Sequence, residues 1–192
     1  MLLATLRTGV LGAALIVAQA PAADAIRGVQ VHKAGDHAWR AEAILVVPLP
    51  VRDAWAVLTD FDAMAQFVPN LAESRIIHRD GNRLTVLQKG SARFGPIHQS
   101  FELIRSVDLV PYQRVHSSNL AGNVRRVEST TTFSATPEGT AVAYQVEMTV
   151  DAALPAVVVE AFIRHEIRSQ FEAIVREMMR RASVEANPAV RP

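Results

Sequence analysis

Two glutamates on segments that read as neighbouring strands are the side chains of this sequence best suited to acid or base chemistry. They are Glu128 and Glu147, and three basic residues on the same group of strands accompany them, Arg105, Arg125 and Arg126. A carboxylate buried inside a curved sheet has a raised pKa and can serve as a general acid or base, for example in a cyclisation. We favour the alternative, in which these charges face outward and pair across the sheet.

The remaining signals for catalysis or cofactor binding are weak. No two histidines have the His-x-x-x-His spacing that places two metal ligands on one helix face, and no metal site is predicted. The chain has no cysteine and no Gly-x-Ser-x-Gly motif. The glycines of Gly90-Ser-Ala-Arg-Phe-Gly95 lack P-loop spacing and indicate a bend in a sheet. We expect no cofactor, and the sequence leans against an enzyme without excluding one.

Aromatic side chains form the stronger candidate site, because pockets for small molecules are mostly apolar with a few polar groups. Six of them come from separate segments that should meet in the fold, and Tyr144 adds a hydroxyl on an apolar strand face. The alternative is that they fill a solid core. The candidate ligand-binding residues are Phe67, Phe94, Phe101, Phe133, Tyr144 and Phe162.

Composition and charge are those of one globular domain. The 192 residues are 49% hydrophobic and 20% charged, which is typical of a folded soluble domain. Lys and Arg number 20 against 19 Asp and Glu, so the formal net charge is +1. A charge this small creates no field that would gather nucleic acid, and no nucleic-acid partner is expected.

The N-terminal segment has the pattern of a secretory signal peptide. Arg7 precedes an uncharged stretch, Thr8 to Ala23, and Ala23-Asp24-Ala25 offers small residues at the two positions that signal peptidase reads. We predict a signal peptide over 1–25 with cleavage near Ala25, and a bacterial protein that is periplasmic or secreted. The uncharged stretch is shorter than the roughly 20 residues that cross a bilayer. A retained anchor is the second choice, and no stable membrane span is expected after cleavage.

Behind the signal, hydrophobic periodicity predicts an α+β domain over 26–184 and a disordered tail over 185–192. A helix begins near Val51, a short helical turn covers Phe61 to Phe67, and from Leu71 the period changes to two. A helix from Ala153 to about Ser183 closes the chain. Its predicted apolar stripe is Leu154, Val158, Phe162, Ile167, Phe171, Ile174, Val175 and Met178. Such a helix needs an apolar partner, so the strands must curve around it.

These segments match a known family. The stretch Ala54-Trp-Ala-Val-Leu-Thr-Asp-Phe61, the stretch Phe67-Val-Pro69 and the long helix after Leu154-Pro155 resemble the polyketide cyclase/dehydrase and coenzyme Q-binding branch of the START-like (SRPBCC) superfamily. The resemblance extends over the Gly90–Phe101 segment and the turn at 137–140. It implies a helix-grip fold, with a curved antiparallel sheet of about six to seven strands around the long helix and two short helices after the first strand.

Members of that family are mostly non-covalent carriers of hydrophobic molecules such as quinones, lipids and polyketides, and some are aromatase/cyclases. The resemblance therefore implies a protein that binds or transports a hydrophobic small molecule without catalysis, and the N-terminal signal pattern predicts that this protein is exported. A cyclase or dehydrase acting on an aromatic or polyketide-like substrate is the alternative, and a protein-interaction module with a filled core is a third possibility. The oligomeric state stays open.

Overall fold

One antiparallel sheet of eight strands wraps around a long C-terminal helix. The computed structural model describes residues 22–95, 97–150 and 154–186. Every strand pair is antiparallel, and the order across the sheet is β1-β2-β8-β7-β6-β5-β4-β3. The strands are β1 (Ile26–Lys33), β2 (Ala38–Val47), β3 (Leu71–Asp80), β4 (Arg83–Phe94), β5 (Ile97–Val110), β6 (Arg114–Gly122), β7 (Val127–Thr136) and β8 (Gly139–Thr149).

Four helices complete the described part of the chain: α1 (Ala22–Ala25), α2 (Val51–Leu58), α3 (Met64–Phe67) and α4 (Ala156–Ala186). Pro50 immediately precedes α2, where a missing amide proton costs no helical hydrogen bond. The turn between α2 and α3 is fixed onto β3, because the Ser74 hydroxyl donates to the Phe61 carbonyl at 2.6 Å and the Asp62 carboxylate accepts from the Ile76 amide at 2.7 Å. This turn therefore has a defined position at one end of the sheet.

Helix α4 lies on the concave face of the sheet and supplies a large part of the core. Its buried apolar residues are Val159, Ile163, Ile167, Phe171, Ala173, Ile174, Val175 and Met178. The C-terminal half of the predicted stripe is confirmed. At the N-terminal half the prediction is wrong, because Leu154 precedes the helix and is 41% exposed, while Val159 and Ile163 are buried instead.

The helix-grip prediction is confirmed, with three differences in detail. The sheet has eight strands, because the segment before Pro48 forms two, β1 and β2, and the two short helices therefore follow the second strand. Glu185 and Ala186, predicted to begin the disordered tail, are the last residues of α4. Most of the predicted signal peptide (1–21) and the rest of the predicted tail (187–192) lie outside the described residues.

Candidate functional site

A cavity of about 500 Å³ lies between the concave face of the sheet and α4. Its wall is formed by inward-facing residues of β4 to β8, by the turn that holds α2 and α3, and by one face of α4. Most of the lining is apolar, and a few polar side chains interrupt it. This volume and this balance of surfaces are typical of sites that bury a small hydrophobic molecule.

Three of the six aromatic candidates line this cavity. Phe101 on β5, Tyr144 on β8 and Phe162 on α4 come from separate elements, and the fold brings them to the same space. The Tyr144 ring also packs edge-on against Phe171, with ring centroids 5.1 Å apart. The placement of these three agrees with the predicted aromatic site, and their part in binding stays a prediction.

The other three aromatic candidates are outside the residues that line the cavity. Phe133 is buried against Trp55, with ring centroids 5.2 Å apart, and so fills the core beneath α2. Phe94 packs against Phe162 at 6.4 Å. The Phe67 ring lies 5.7 Å below the guanidinium carbon of Arg181. These three contribute to packing around the cavity, because each ring already has a protein partner.

A close backbone contact shapes the cavity at the end of the loop after α3. The carbonyl oxygen of Asn70 lies so near Gly90 that a Cβ atom on Gly90 would be 1.9 Å from it, and 2.8 Å from the Phe101 ring. Only a residue without a side chain fits there, since a Cβ atom cannot approach another heavy atom so closely. Gly90 pairs with Phe101 across β4 and β5, so the Asn70 backbone lies close to Phe101, and both residues line the cavity.

Asn70 also joins this loop to α4. Its Nδ2 donates to Glu166 Oε2 at 2.9 Å, and both side chains line the cavity. Burial raises the pKa of the Glu166 carboxyl, and the hydrogen bond from Asn70 and the neighbouring His165 oppose that change. Because a carboxylate only accepts hydrogen bonds, the Asn70 amide nitrogen must face Glu166. Asn70 Oδ1 is then directed elsewhere, and it is buried without a hydrogen-bond partner among the described residues.

A polar strip crosses the floor of the cavity on four consecutive strands. We call Arg105 (β5), Ser117 (β6), Ser129 (β7) and Tyr144 (β8) the floor strip. Burial raises the pKa of Tyr144, which keeps the phenol protonated, and the neighbouring Ser129 hydroxyl opposes this change in part. Burial lowers the pKa of Arg105, and the phenol of Tyr144 lies close enough to counter this in part.

The outward position favoured for Arg105 from the sequence is wrong, because Arg105 lines the cavity. Its Nε is buried and has no hydrogen-bond partner in the described chain, and no ion pair is found for it there. The sequence does hold a signal for it. Phe101, Leu103 and Val107 alternate along β5 on the inner face, and Arg105 occupies the inward position between them. A charged residue at an inward position of an alternating strand marks a polar group inside the fold.

The two candidate acids lie on the opposite side of the sheet. Glu128 and Glu147 are register partners on β7 and β8, and their neighbours in sequence, Val127, Ser129, Val146 and Met148, are the residues that face the cavity. The Glu147 carboxylate accepts from Arg40, which lowers its pKa, and Arg126 donates to Glu128 at 3.2 Å. Both glutamates therefore face outward and pair with arginines, as the alternative favoured from the sequence has it.

A metal site would need several ligands in one place. In the three described ranges, no three His, Asp or Glu side chains come together in a way that could hold an ion. The prediction that no metal binds is not tested by this. In the same part of the chain, no helix has the length and hydropathy needed to span a bilayer.

Residues 47–175 match the model of the polyketide cyclase / dehydrase and lipid transport family. The match covers more than half of the chain. The protein belongs to this family. The matched region includes α2, α3, the strands β3 to β8 and most of α4, which are the elements that build the cavity. The predicted family is therefore confirmed, while the coenzyme Q-binding assignment stays a prediction. Comparison with curated proteins gave no match.

Solved structures of similar fold include an aromatase/cyclase and a lipid transfer protein. The Zhui aromatase/cyclase from Streptomyces sp. R1128 is 16% identical, with a TM-score of 0.64, and the match covers 76% of this chain and 96% of that chain. A STAR-related lipid transfer protein from Xanthomonas axonopodis is 14% identical, with a TM-score of 0.63 and coverage of 80% and 94%. A START superfamily protein from Mycobacterium smegmatis is 14% identical, with a TM-score of 0.62 and coverage of 73% and 97%. At identities this low, the structural similarity establishes the fold alone.

Proposed function

We propose that this protein binds and carries a hydrophobic small molecule without changing it, and that it does so outside the cytoplasm. The cavity of about 500 Å³ between the sheet and α4 carries this proposal. Binding there removes the apolar surface of a ligand from water, which contributes about 25 cal/mol of binding free energy per Å² of buried surface. The lipid transfer protein of similar fold supports the carrier reading.

Among the described residues, the cavity floor holds no carboxylate and no histidine, which favours binding over catalysis. Among the described residues that line the cavity, Glu166 is the one carboxylate, and it is held by Asn70. Glu128 and Glu147, the candidates for general acid or base, lie on the outer face. A carrier needs apolar enclosure and a few fixed polar groups, and the cavity provides both.

Native mass spectrometry of the protein recovered from the periplasm, followed by organic extraction, tests the carrier proposal. We expect an additional mass that leaves with organic solvent and is recovered unchanged. A protein that arrives without cargo and takes up neither lipids nor quinones would refute it.

Export is proposed from the sequence of the first 25 residues. Cleavage near Ala25 would leave Ile26 as the first residue, and Ile26 begins β1 and is buried in the core. The mature chain would then start with an ordered strand. N-terminal sequencing of protein from the periplasm and from the culture medium tests this. We expect Ile26 at the N-terminus, and an intact Met1 in the cytoplasmic fraction alone would refute export.

Arg105 favours the second candidate, a cyclase acting on an aromatic or polyketide-like substrate. A buried guanidinium beside a phenol stabilises an enolate that develops during cyclisation. The aromatase/cyclase of similar fold supports this alternative. Incubation with poly-β-ketone thioester mimics separates the two functions. If the protein is a carrier, the mimics cyclise at the same rate with and without it. If it is an enzyme, it accelerates their cyclisation, and Arg105→Met removes the acceleration.

A further inference from the structure

Two unsatisfied polar atoms in the cavity indicate which ligand it fits. Three buried side-chain atoms in the described residues lack a hydrogen-bond partner, and two of them, Arg105 Nε and Asn70 Oδ1, belong to residues of the cavity wall. A buried polar group without a partner costs more free energy than an ordinary hydrogen bond contributes. The first atom is a donor and the second an acceptor, so they call for different partners.

We infer that the ligand is an amphipathic carboxylic acid whose carboxylate binds Arg105 and whose far end carries a hydroxyl that donates to Asn70 Oδ1. This inference rests on the carrier function proposed above, and it assigns the chemical class of the cargo.

The charge of the floor strip selects an acid. Arg105 is its one cation, and the hydroxyls of Ser117, Ser129 and Tyr144 add neutral donors on the adjoining strands. Glu166, the one carboxylate among the described residues of the cavity wall, is held by Asn70 and forms no ion pair with Arg105. The cavity wall holds one further arginine among the described residues, Arg125, which already has an interaction within the protein. A carboxylate carries a single charge, which Arg105 matches. A phosphate monoester carries between one and two charges and would exceed it.

The spacing of the two atoms selects an elongated molecule. Asn70 lies beside Gly90 and hence beside Phe101, the partner of Gly90 on β5. Arg105 is four residues further along β5, which is about 13 Å at the usual rise of a strand. Between them the wall is apolar, and Leu103 on β5 and Ile167 on α4 contribute to it. A ligand with polar groups at both ends and an apolar body satisfies both atoms at once.

Three probes that differ only in their ends test the assignment: dodecanoic acid, 12-hydroxydodecanoic acid and 1-dodecanol. Calorimetric titration of the full chain should give an affinity for dodecanoic acid at least tenfold above that for the alcohol, because a hydrogen bond to a charged group is involved. The added hydroxyl should raise the affinity of the acid by a further factor of about five.

Variants locate each end. Arg105→Met should weaken binding of the acid tenfold or more and leave the alcohol within threefold, whereas Arg114→Met, at an exposed position of β6, should change neither. Asn70→Ala should remove the advantage of 12-hydroxydodecanoic acid over dodecanoic acid. If Arg105→Met does not fold, the comparison of acid and alcohol in the natural protein still decides the first end.

The outcomes separate this inference from the carrier function. Equal affinity of the natural protein for acid and alcohol, both retained in Arg105→Met, would overturn the acid assignment and leave the carrier function intact. An unchanged advantage of the hydroxy acid in Asn70→Ala would overturn the second end. Failure of all three probes, together with failure to bind any lipid, would contradict the carrier function itself.

Discussion

The Arg181 guanidinium on α4 donates to the Asp60 carboxylate at 2.8 Å and so joins the C-terminal half of the helix to the turn between α2 and α3. The same arginine donates to Glu177 at 2.7 Å and lies over the Phe67 ring. This network holds the turn in position beside the cavity, and it gives the fold a titratable contact on the helix.

Glu177 makes the stability of the protein sensitive to acid. Hydrogen bonds from Arg180 and Arg181 lower its pKa to about 2 from an ordinary 4.5. A lowered carboxyl pKa contributes stability that is present above about pH 4.5 and is lost as the pH falls toward 2. Allowing for the solvent exposure of Arg180, this contribution is about 2 kcal/mol.

We therefore expect Glu177→Gln to lower the free energy of unfolding by about 2 kcal/mol at pH 7, with a difference that shrinks as the pH is lowered to about 3. Urea denaturation across this range measures it. Glu172→Gln is the matched control, because Glu172 lies 3.9 Å from Arg168 in a weaker pair on the same helix. A Glu177→Gln deficit that is independent of pH would contradict the account.

The Glu166 carboxyl should have the opposite pH dependence. Burial raises its pKa, so the stability associated with its protonated form is present below the ordinary pKa and is lost as the pH rises through the raised value. Gln in its place still accepts the hydrogen bond from Asn70 and carries no charge. Thermal unfolding should show Glu166→Gln more stable than the natural protein at pH 8 and equal to it at pH 4, and lower stability at pH 8 would refute this.

Gly90 should tolerate no side chain, because a Cβ atom there would meet the Asn70 carbonyl oxygen and the Phe101 ring. Gly90→Ala should cost at least about 2 kcal/mol of unfolding free energy, as overpacking does. Gly28→Ala serves as the control, since nothing lies within 4 Å of a Cβ atom at that position. Equal stability of the two variants would show that the loop before β3 moves freely away from the sheet.

The N-terminal half of α4 should depend on Ile163, which is 3% exposed, and not on Leu154. Ile163→Ala should cost about 2–4 kcal/mol of unfolding free energy, as expected for a large residue truncated in a core. Leu154→Ala should stay within about 0.5 kcal/mol of the natural protein, as is usual for an exposed position. Chemical denaturation of both variants measures this, and a larger loss for Leu154→Ala would contradict the packing.

Local sequence signals were sufficient to predict most of the fold. Asp80-Gly81-Asn82 has the composition of a hairpin turn, and the structure has that turn between β3 and β4, with Gly81 at φ 55°, a conformation that glycine adopts without strain. Pro50 lies directly before α2 and Pro69 lies two residues after α3, positions where proline commonly bounds a helix. The phase of α4 near its start was ambiguous, since Val157, Val158 and Val159 are all apolar, and only contact with the sheet selects Val159.

The cavity was harder to predict than the sheet. An aromatic residue has the same pattern in a strand whether it fills a core or lines an opening, so Phe133 and Phe101 could not be separated from sequence. The position of Phe67 depends on a contact with Arg181, which is more than a hundred residues away in the chain. Arg105 could have been found from its inward place on β5, because alternation alone determines that.

Ligand uptake in a pair of adjacent variants of β5 tests the central claim most directly. Leu103 faces the cavity, and Ile104 faces the opposite side of the sheet. The account predicts that Leu103→Trp fills the cavity and reduces binding of a fluorescent fatty acid at least tenfold, while Ile104→Trp binds like the natural protein. Undiminished binding by a folded Leu103→Trp protein would place the ligand elsewhere and contradict the account.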